Sequence, residues 1–153
     1  MFIREMTEDE CRNALARVSF GRLACARDDQ PYIVPIYFAY DGRHAYAFST
    51  AGQKIDWMRA NPLICLEVDE RKSRDEWMSV VVFGRYQELP DTAEFAPDRA
   101  QAHHVLQEHA KWWDYATVPG AEWRRKTGPF TPIFYRIHID RMTGQKATPR
   151  APS

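Results

Sequence analysis

The sequence predicts a mainly β fold, a small antiparallel barrel with accessory helices. Three observations carry that expectation. Runs rich in aromatic and β-branched residues recur along the chain, the early ones separated by tight turn signals. The longest, Trp77 to Leu89 (WMSVVVFGRYQEL), holds Gly84 in its middle, and a glycine inside a strand marks a bulge or bend that lets a sheet curl. Helical periodicity is confined to a few short stretches between or beside these runs. The chain has 153 residues, 44% hydrophobic and 13% aromatic, with no break in composition. That is enough apolar material for one core. A single domain over residues 1–146 with a polar tail at 147–153 is expected.

Taken in order, Thr7-Glu8-Asp9-Glu10 matches a capping box, with acidic residues suited to the positive end of a helix dipole. Cys11, Leu15 and Val18 follow at helical spacing, predicting a helix over Thr7 to Arg17. Ser19 to Arg27 places Gly21, Leu23 and Cys25 on one side of a half-buried strand. Asp28-Asp29-Gln30 turns the chain. Pro31 to Tyr40 (PYIVPIYFAY) is a strand, Asp41-Gly42 a type I′ hairpin turn, and His44 to Ser49 the return strand. A short helix opens near Lys54 and stops at Asn61-Pro62, because the residue before proline is pushed out of helical geometry. Leu63 to Asp69 is another strand, Glu70 to Glu76 a charged connection, and Trp77 to Leu89 the long strand. Asp91 to Ala110 changes period: Pro97 stands near a helix start, and Val105, Leu106, His109 and Trp113 share one face. Trp112 to Pro129 is irregular. Ile133 to Ile139 is a last strand, and Thr143 to Ser153 reads as polar tail. The count is about six strands.

The chemistry concentrates between Pro31 and Pro62. Ser49-Thr50-Ala51-Gly52-Gln53-Lys54 offers two hydroxyls, a flexible backbone and a cation where a helix begins, the ingredients of an anion site. The plainer alternative is that Ser49 and Thr50 cap the helix and Lys54 is solvated. Pro35 cannot donate to a β-ladder, so its strand is either irregular there, leaving room for a flat ligand against the backbone, or simply an edge strand.

Other function classes find little support. Twenty-one basic residues balance 21 acidic ones, and without a basic stripe nucleic acid is not the expected partner. No apolar run approaches a membrane span, and MFIREMTEDECR is too charged for a signal peptide. Three scattered cysteines form neither a disulfide framework nor metal-binding pairs, which fits a reducing cytoplasm. Among five histidines, His103 and His104 point about 100° apart on a helix. His104 and His109 are five apart rather than the four that puts two ligands on one face. No zinc site is expected, and no Ser-His-acid arrangement is legible.

The ordered set GRL, PYIVPIYF, DG, YAFST, GQK, NP, LICLEVD and SVVVFGRYQEL resembles the pyridoxamine-phosphate-oxidase-like, FMN-binding split-barrel proteins, nearest their small nitroimidazole-reductase-like members. The resemblance covers residues 3–90 well and 133–146 more loosely. It implies a homodimer with FMN at the interface. Ser49, Thr50, Gln53 and Lys54 match the family's phosphate loop, where Lys54 acts as a point charge on the dianion. Val34, Pro35, Ile36 and Tyr37 match the strand that runs along the flavin ring, and Ser79 matches a position that gives a polar contact to the cofactor. Trp77 and Trp123 are candidates to cover the ring, or else belong to the core or an interface.

An FMN-dependent oxidoreductase acting on a small-molecule substrate, with NADH or NADPH as electron donor, is the reading the resemblance implies. The alternative is a flavin or haem carrier or sensor without turnover, with a deazaflavin a further candidate cofactor. Members that oxidise vitamin B6 carry an arginine before the loop lysine, where this chain has Gln53. They also end in a tryptophan- and arginine-bearing strand, where this chain reads MTGQKATPRAPS. Vitamin B6 oxidation is therefore not expected.

Overall fold

Thr7 opens the first helix through a complete capping box. Its hydroxyl accepts from the Glu10 N–H at 3.2 Å, and the Glu10 carboxylate accepts from the Thr7 N–H at 2.8 Å. In the computed structural model, which describes residues 1–109 and 131–150, this helix is the first of three. The order is β1 (Phe2–Glu5), α1 (Glu8–Arg17), β2 (Phe20–Arg27), β3 (Gln30–Tyr37), β4 (Ala39–Tyr40), β5 (His44–Ser49), α2 (Gln53–Ala60), β6 (Leu63–Arg71), β7 (Trp77–Glu88), a 3-10 turn (Ala93–Phe95), α3 (Ala96–His109) and β8 (Ile133–Thr148). The positions of Trp112, Trp113 and Trp123 and the side chain of His109 lie outside the described residues.

All eight strands belong to one antiparallel sheet in the order β3-β2-β6-β7-β8-β5-β4, with β1 added against β8. The two ends of that path, β3 and β4, are consecutive in the chain and separated by Phe38 alone. The sheet must therefore curl until its ends meet, and the result is the antiparallel barrel that the strand pattern predicts, in the split form that the family resemblance implies. Phe38 is fully buried at the join, and its N–H donates to the Ser19 carbonyl at 3.0 Å. Gly84 marks the bend expected of it. The β7–β8 register slips between Phe83 and Gly84, leaving Asp140 as the extra residue on β8, and a Cβ at Gly84 would stand 2.4 Å from the His138 carbonyl oxygen.

Alternation fills the barrel. Leu23 and Cys25 of β2, Leu66 and Val68 of β6, Val80 and Val82 of β7, and Tyr135 and Ile137 of β8 all point inward. Ile55 and Met58 of α2 join the same core. A second cluster lies where α3 packs on the sheet: Ala102, Val105 and Leu106 meet Tyr46, Leu89 and Phe134.

Three expectations change. Pro31 to Tyr40 is not one strand, because pairing switches from β2 to β5 at Phe38. The hairpin turn after it slips by one residue. The Asp41 N–H donates to the His44 carbonyl at 3.2 Å, the Asp41 carboxylate accepts from the Arg43 and His44 N–H groups, and Gly42 alone has a positive φ, 94°. Gly42 and Arg43 are thus the central pair, in the type II′ pattern rather than type I′. The two consecutive positive φ values that type I′ needs occur instead at Asp28 and Asp29, between β2 and β3. Finally, β8 does not stop at Ile139. Residues Thr143–Thr148, read as polar tail, are strand, held by β7 on one side and β1 on the other.

Two stability predictions follow from this packing. The Tyr135 hydroxyl is buried without a hydrogen-bond partner among the described residues, and burial pushes its pKa far up. An unsatisfied buried hydroxyl costs about 1–3 kcal/mol, so Tyr135→Phe should leave the denaturation midpoint unchanged or raise it. A loss of more than about 1 kcal/mol would reveal a partner for the hydroxyl. Glu10 accepts two bonds from Arg4, at 2.7 and 2.9 Å, and its pKa is lowered to about 2, first by Arg4 and then by the Thr7 N–H. A lowered folded-state pKa stabilises above the unfolded value and is lost as pH falls through the folded one. The pair is partly exposed, so solvent screening keeps its contribution small. Glu10→Gln should remove that contribution at pH 7 and make little difference at pH 2, measured by urea unfolding at both.

Candidate functional site

Strand β5 delivers Ser49 to one end of the barrel, and α2 starts four residues later. The helix N-cap is Gly52, in extended backbone with no side-chain cap bond. Ser49 and Thr50 therefore do not cap it. The Ser49 hydroxyl donates to the Thr50 carbonyl at 3.0 Å, and Thr50 is exposed. Among the described residues, the first N–H groups of α2 have no side-chain acceptor.

Lys54 stands in the first turn of that helix. It is half-buried and has no carboxylate or hydrogen-bond partner among the described residues. Burial holds its ammonium below the ordinary lysine pKa, and the Cys25 thiol nearby opposes that shift. Cys25 is 5% exposed and its own pKa is raised, chiefly by burial. A cation taken out of water with no anion beside it is an unfavourable arrangement unless an anion arrives. Helix α2 is anchored by Ile55 and Met58, by the Trp57 ring 5.5 Å from Tyr32, and by the Asn61 amide donating to the Ala26 carbonyl at 3.1 Å. That packing fixes where Lys54 sits.

Strand β3 carries the other matched residues. Among the described residues it pairs only with β2, as an edge strand does, and the missing Pro35 N–H needs no further explanation. Its outer edge still presents unpaired backbone groups. Val34 and Ile36 face the barrel interior, whereas Pro35 and Tyr37 are exposed on the outer face.

Ser79 lies elsewhere. It is on the outer face near the start of β7, where its hydroxyl donates to Glu67 at 3.4 Å. Trp77 and Ala147 mark one end of the paired strands β7 and β8. Glu88 and Ile133, beside Ser49, mark the other. One chain therefore brings Ser49, Thr50, Gln53 and Lys54 together but leaves Ser79 toward the opposite end. Trp77 lies at that opposite end too.

The structure also assembles a cluster that sequence spacing hides. Arg22 Nη1 reaches Asp69 at 3.3 Å and Glu67 at 3.8 Å, on the same face as Ser79. Burial raises the Glu67 pKa, and the neighbouring Asp69 adds to it. The residues come from β2, β6 and β7, so only the register reveals them. Around them the outer face is apolar: Phe20 is 40% exposed, Tyr37 47%, and Ile33 and Leu63 64% each. The Phe20 and Tyr37 rings lie 4.8 Å apart.

The histidines do not converge. His104 meets Glu108 at 3.2 Å, His103 packs on Phe134, and His138 sits across the β5–β8 ladder from His44. Among the described residues no group of three or more His, Cys, Asp or Glu side chains could hold a metal ion, and no helix is long and apolar enough to cross a membrane.

Comparison with known proteins places this geometry in a family. The chain is 44% identical over 147 residues to the uncharacterized protein RA0666 of Rhizobium meliloti (strain 1021), covering 96% of this chain and 97% of that one. The crystal structure of a FAD-binding protein from Mesorhizobium loti superposes with a TM-score of 0.76 at 42% identity, over 97% of this chain and 98% of the other. A candidate 5-nitroimidazole antibiotic resistance protein from Bacteroides thetaiotaomicron shares the fold at 14% identity, with a TM-score of 0.67 over 95% and 89% of the two chains. Residues 7–146 match the sequence profile described as pyridoxamine 5′-phosphate oxidase. The chain belongs to the pyridoxamine 5′-phosphate oxidase family.

Proposed function

We propose that this protein binds a flavin nucleotide through the loop Ser49–Lys54 and uses it as an oxidoreductase acting on a small organic molecule. The observation that carries the reading is Lys54, a half-buried cation with no anionic partner among the described residues, at the start of a helix without a side-chain cap. A phosphate there would meet the ammonium, the free N–H groups of α2, and the Ser49 and Thr50 hydroxyls. Gln53, the first residue of α2, adds an amide. The outer edge of β3, at Val34, Pro35 and Ile36, offers backbone groups to a flat ring. The relative from Mesorhizobium loti is a FAD-binding protein, which supports a flavin. The split-barrel resemblance favours FMN. Both carry a phosphate on the ribityl chain, so the loop serves either. When bound, the flavin supplies the hydride chemistry; the residues of the chain bind it, orient it and control access.

The active form in this reading is a homodimer. Ser79 and Lys54 lie toward opposite ends of one barrel, and a second copy docked by the outer sheet face can supply a Ser79 to a Lys54 loop that lacks one. The exposed Phe20, Ile33 and Leu63 give that face apolar surface to bury. Light scattering of the flavin-loaded protein should give twice the chain mass of 17.9 kDa. A stable monomer would refute the two-chain site.

Lys54→Ala should weaken FMN far more than it weakens the fold. A charge-assisted contact is worth about 1.5–3 kcal/mol, or roughly a tenfold to hundredfold rise in Kd. The apo-protein loses little, because a cation in the first turn opposes the helix dipole. Riboflavin lacks the phosphate and should bind parent and variant almost equally. Titrating both proteins with riboflavin, FMN and FAD separates the cases. Equal weakening of riboflavin would show that Lys54 is not a phosphate ligand.

A further inference from the structure

At the end of the barrel away from Lys54, the last residue of α1, the β6–β7 connection and the end of β8 enclose a cleft of about 350 Å³. That lies within the range of small-molecule sites. Trp77 lines it, over a floor of buried Met78 and Ala147. Its rim is charged, and the charges do not cancel. Arg17 holds Glu70, Nε to Oε1 at 3.0 Å, and Lys72 holds Glu76 at 3.1 Å. Lys146 also lines the cleft, and it has no hydrogen bond or ion pair among the described residues. The next carboxylate to feel its charge, Glu10, is already taken by Arg4 and the Thr7 N–H. Across these seven groups there are four cations and three carboxylates, and the surplus charge sits on Lys146.

We infer that this cleft is a second ligand site, separate from the flavin loop, for a planar aromatic carboxylate. The ring would lie against Trp77, Met78 and Ala147, where aromatic surface and a buried floor replace water. The carboxylate would take the unneutralised Lys146 ammonium at the lip, in a charge-assisted contact. A dianion such as a phosphate monoester fits less well, because Glu70 and Glu76 stand on the same rim. A cationic ligand would face the surplus positive charge. Within one chain the cleft lies at the end opposite Glu88, Ile133 and Ser49. In the two-chain reading a partner's flavin would come to Ser79 on the outer face, whereas Met78 and Lys146 are paired on the inward side of the same strands.

The test uses the full chain and 2-naphthoate as probe, titrated by calorimetry with and without saturating FMN. The neutral 2-naphthalenemethanol serves as the matched ring without the charge. Saturable naphthoate binding, unchanged by FMN, is expected. Lys146→Gln, a surface substitution that keeps the side-chain stem, should raise the naphthoate Kd about tenfold and leave the alcohol unchanged. Trp77→Leu should weaken acid and alcohol together. Absence of saturable naphthoate binding would overturn the site. So would competition with FMN, or a Lys146→Gln effect equal for acid and alcohol. Because Lys54→Ala leaves this cleft untouched, loss of FMN binding there with naphthoate binding retained would separate the two sites.

Discussion

One covalent constraint shapes the molecule: a single residue, Phe38, joins the two ends of a seven-strand path. Strands in a sheet lie about 4.8 Å apart, so six flat gaps would hold β3 and β4 roughly 29 Å from each other. Two consecutive Cα steps allow about 7.6 Å at most. The sheet has no choice but to curl. The bulge opposite Gly84 supplies bending where the two longest strands pair, and Asp140, the extra residue there, is used rather than wasted, taking Arg85 at 3.0 Å. Closure by the chain instead of by hydrogen bonds leaves β3 with a free edge, and the fold therefore carries an open backbone seam beside α2.

The same closure explains the state of Lys54. Helix α2 must cover the end of a barrel whose interior is apolar, so Ile55 and Met58 go inward and the first turn is drawn down with them. Lys54 is half-buried as a consequence, near Cys25 rather than near a carboxylate. Burial of a cation works against stability. Among the described residues the other cations, Lys146 apart, avoid that situation: those without a carboxylate partner, Arg43, Arg71, Arg74, Arg141 and Arg150, are exposed. Arg4, Arg17, Arg59 and Arg85 all hold carboxylates at partly exposed sites. Against that background, unpartnered Lys54 and Lys146 are informative.

How much of this was legible beforehand depends on whether the signal was local. The capping box of Thr7 and Glu10, the break at Pro62 and the bend at Gly84 are written in neighbouring residues, and each was readable. The Phe38 switch was not, since PYIVPIYFAY alternates smoothly and only pairing shows that its halves belong to opposite ends of the sheet. The slip of the hairpin turn depends on Asp41 spending its side chain on the Arg43 and His44 N–H groups. The extension of β8 was hidden by composition. Thr143 and Gln145 look like tail because their side chains sit on the outer face with Ser79 and Val81. Gly144 looks like a breaker, yet it is there because a Cβ would stand 2.8 Å from Cys11 Sγ where α1 packs on the strand.

The candidate site divides along the same line. Ser49, Thr50, Gln53 and Lys54 fall within six consecutive residues, and their convergence at a helix start is nearly guaranteed by the chain. Ser79 and the Arg22, Glu67 and Asp69 group depend on register across three strands, which no spacing in one strand encodes. Their separation from Lys54 within one barrel also has a consequence for any ligand spanning both. Trp77 and Glu88 bound a strand of twelve residues, about 35 Å end to end at full extension. In the proposed reading, the Lys54 loop of one barrel and Ser79 of a second copy meet on one flavin nucleotide. That reading sets two copies against each other through the face that carries Ser79. That is the face where Phe20, Ile33 and Leu63 stand exposed.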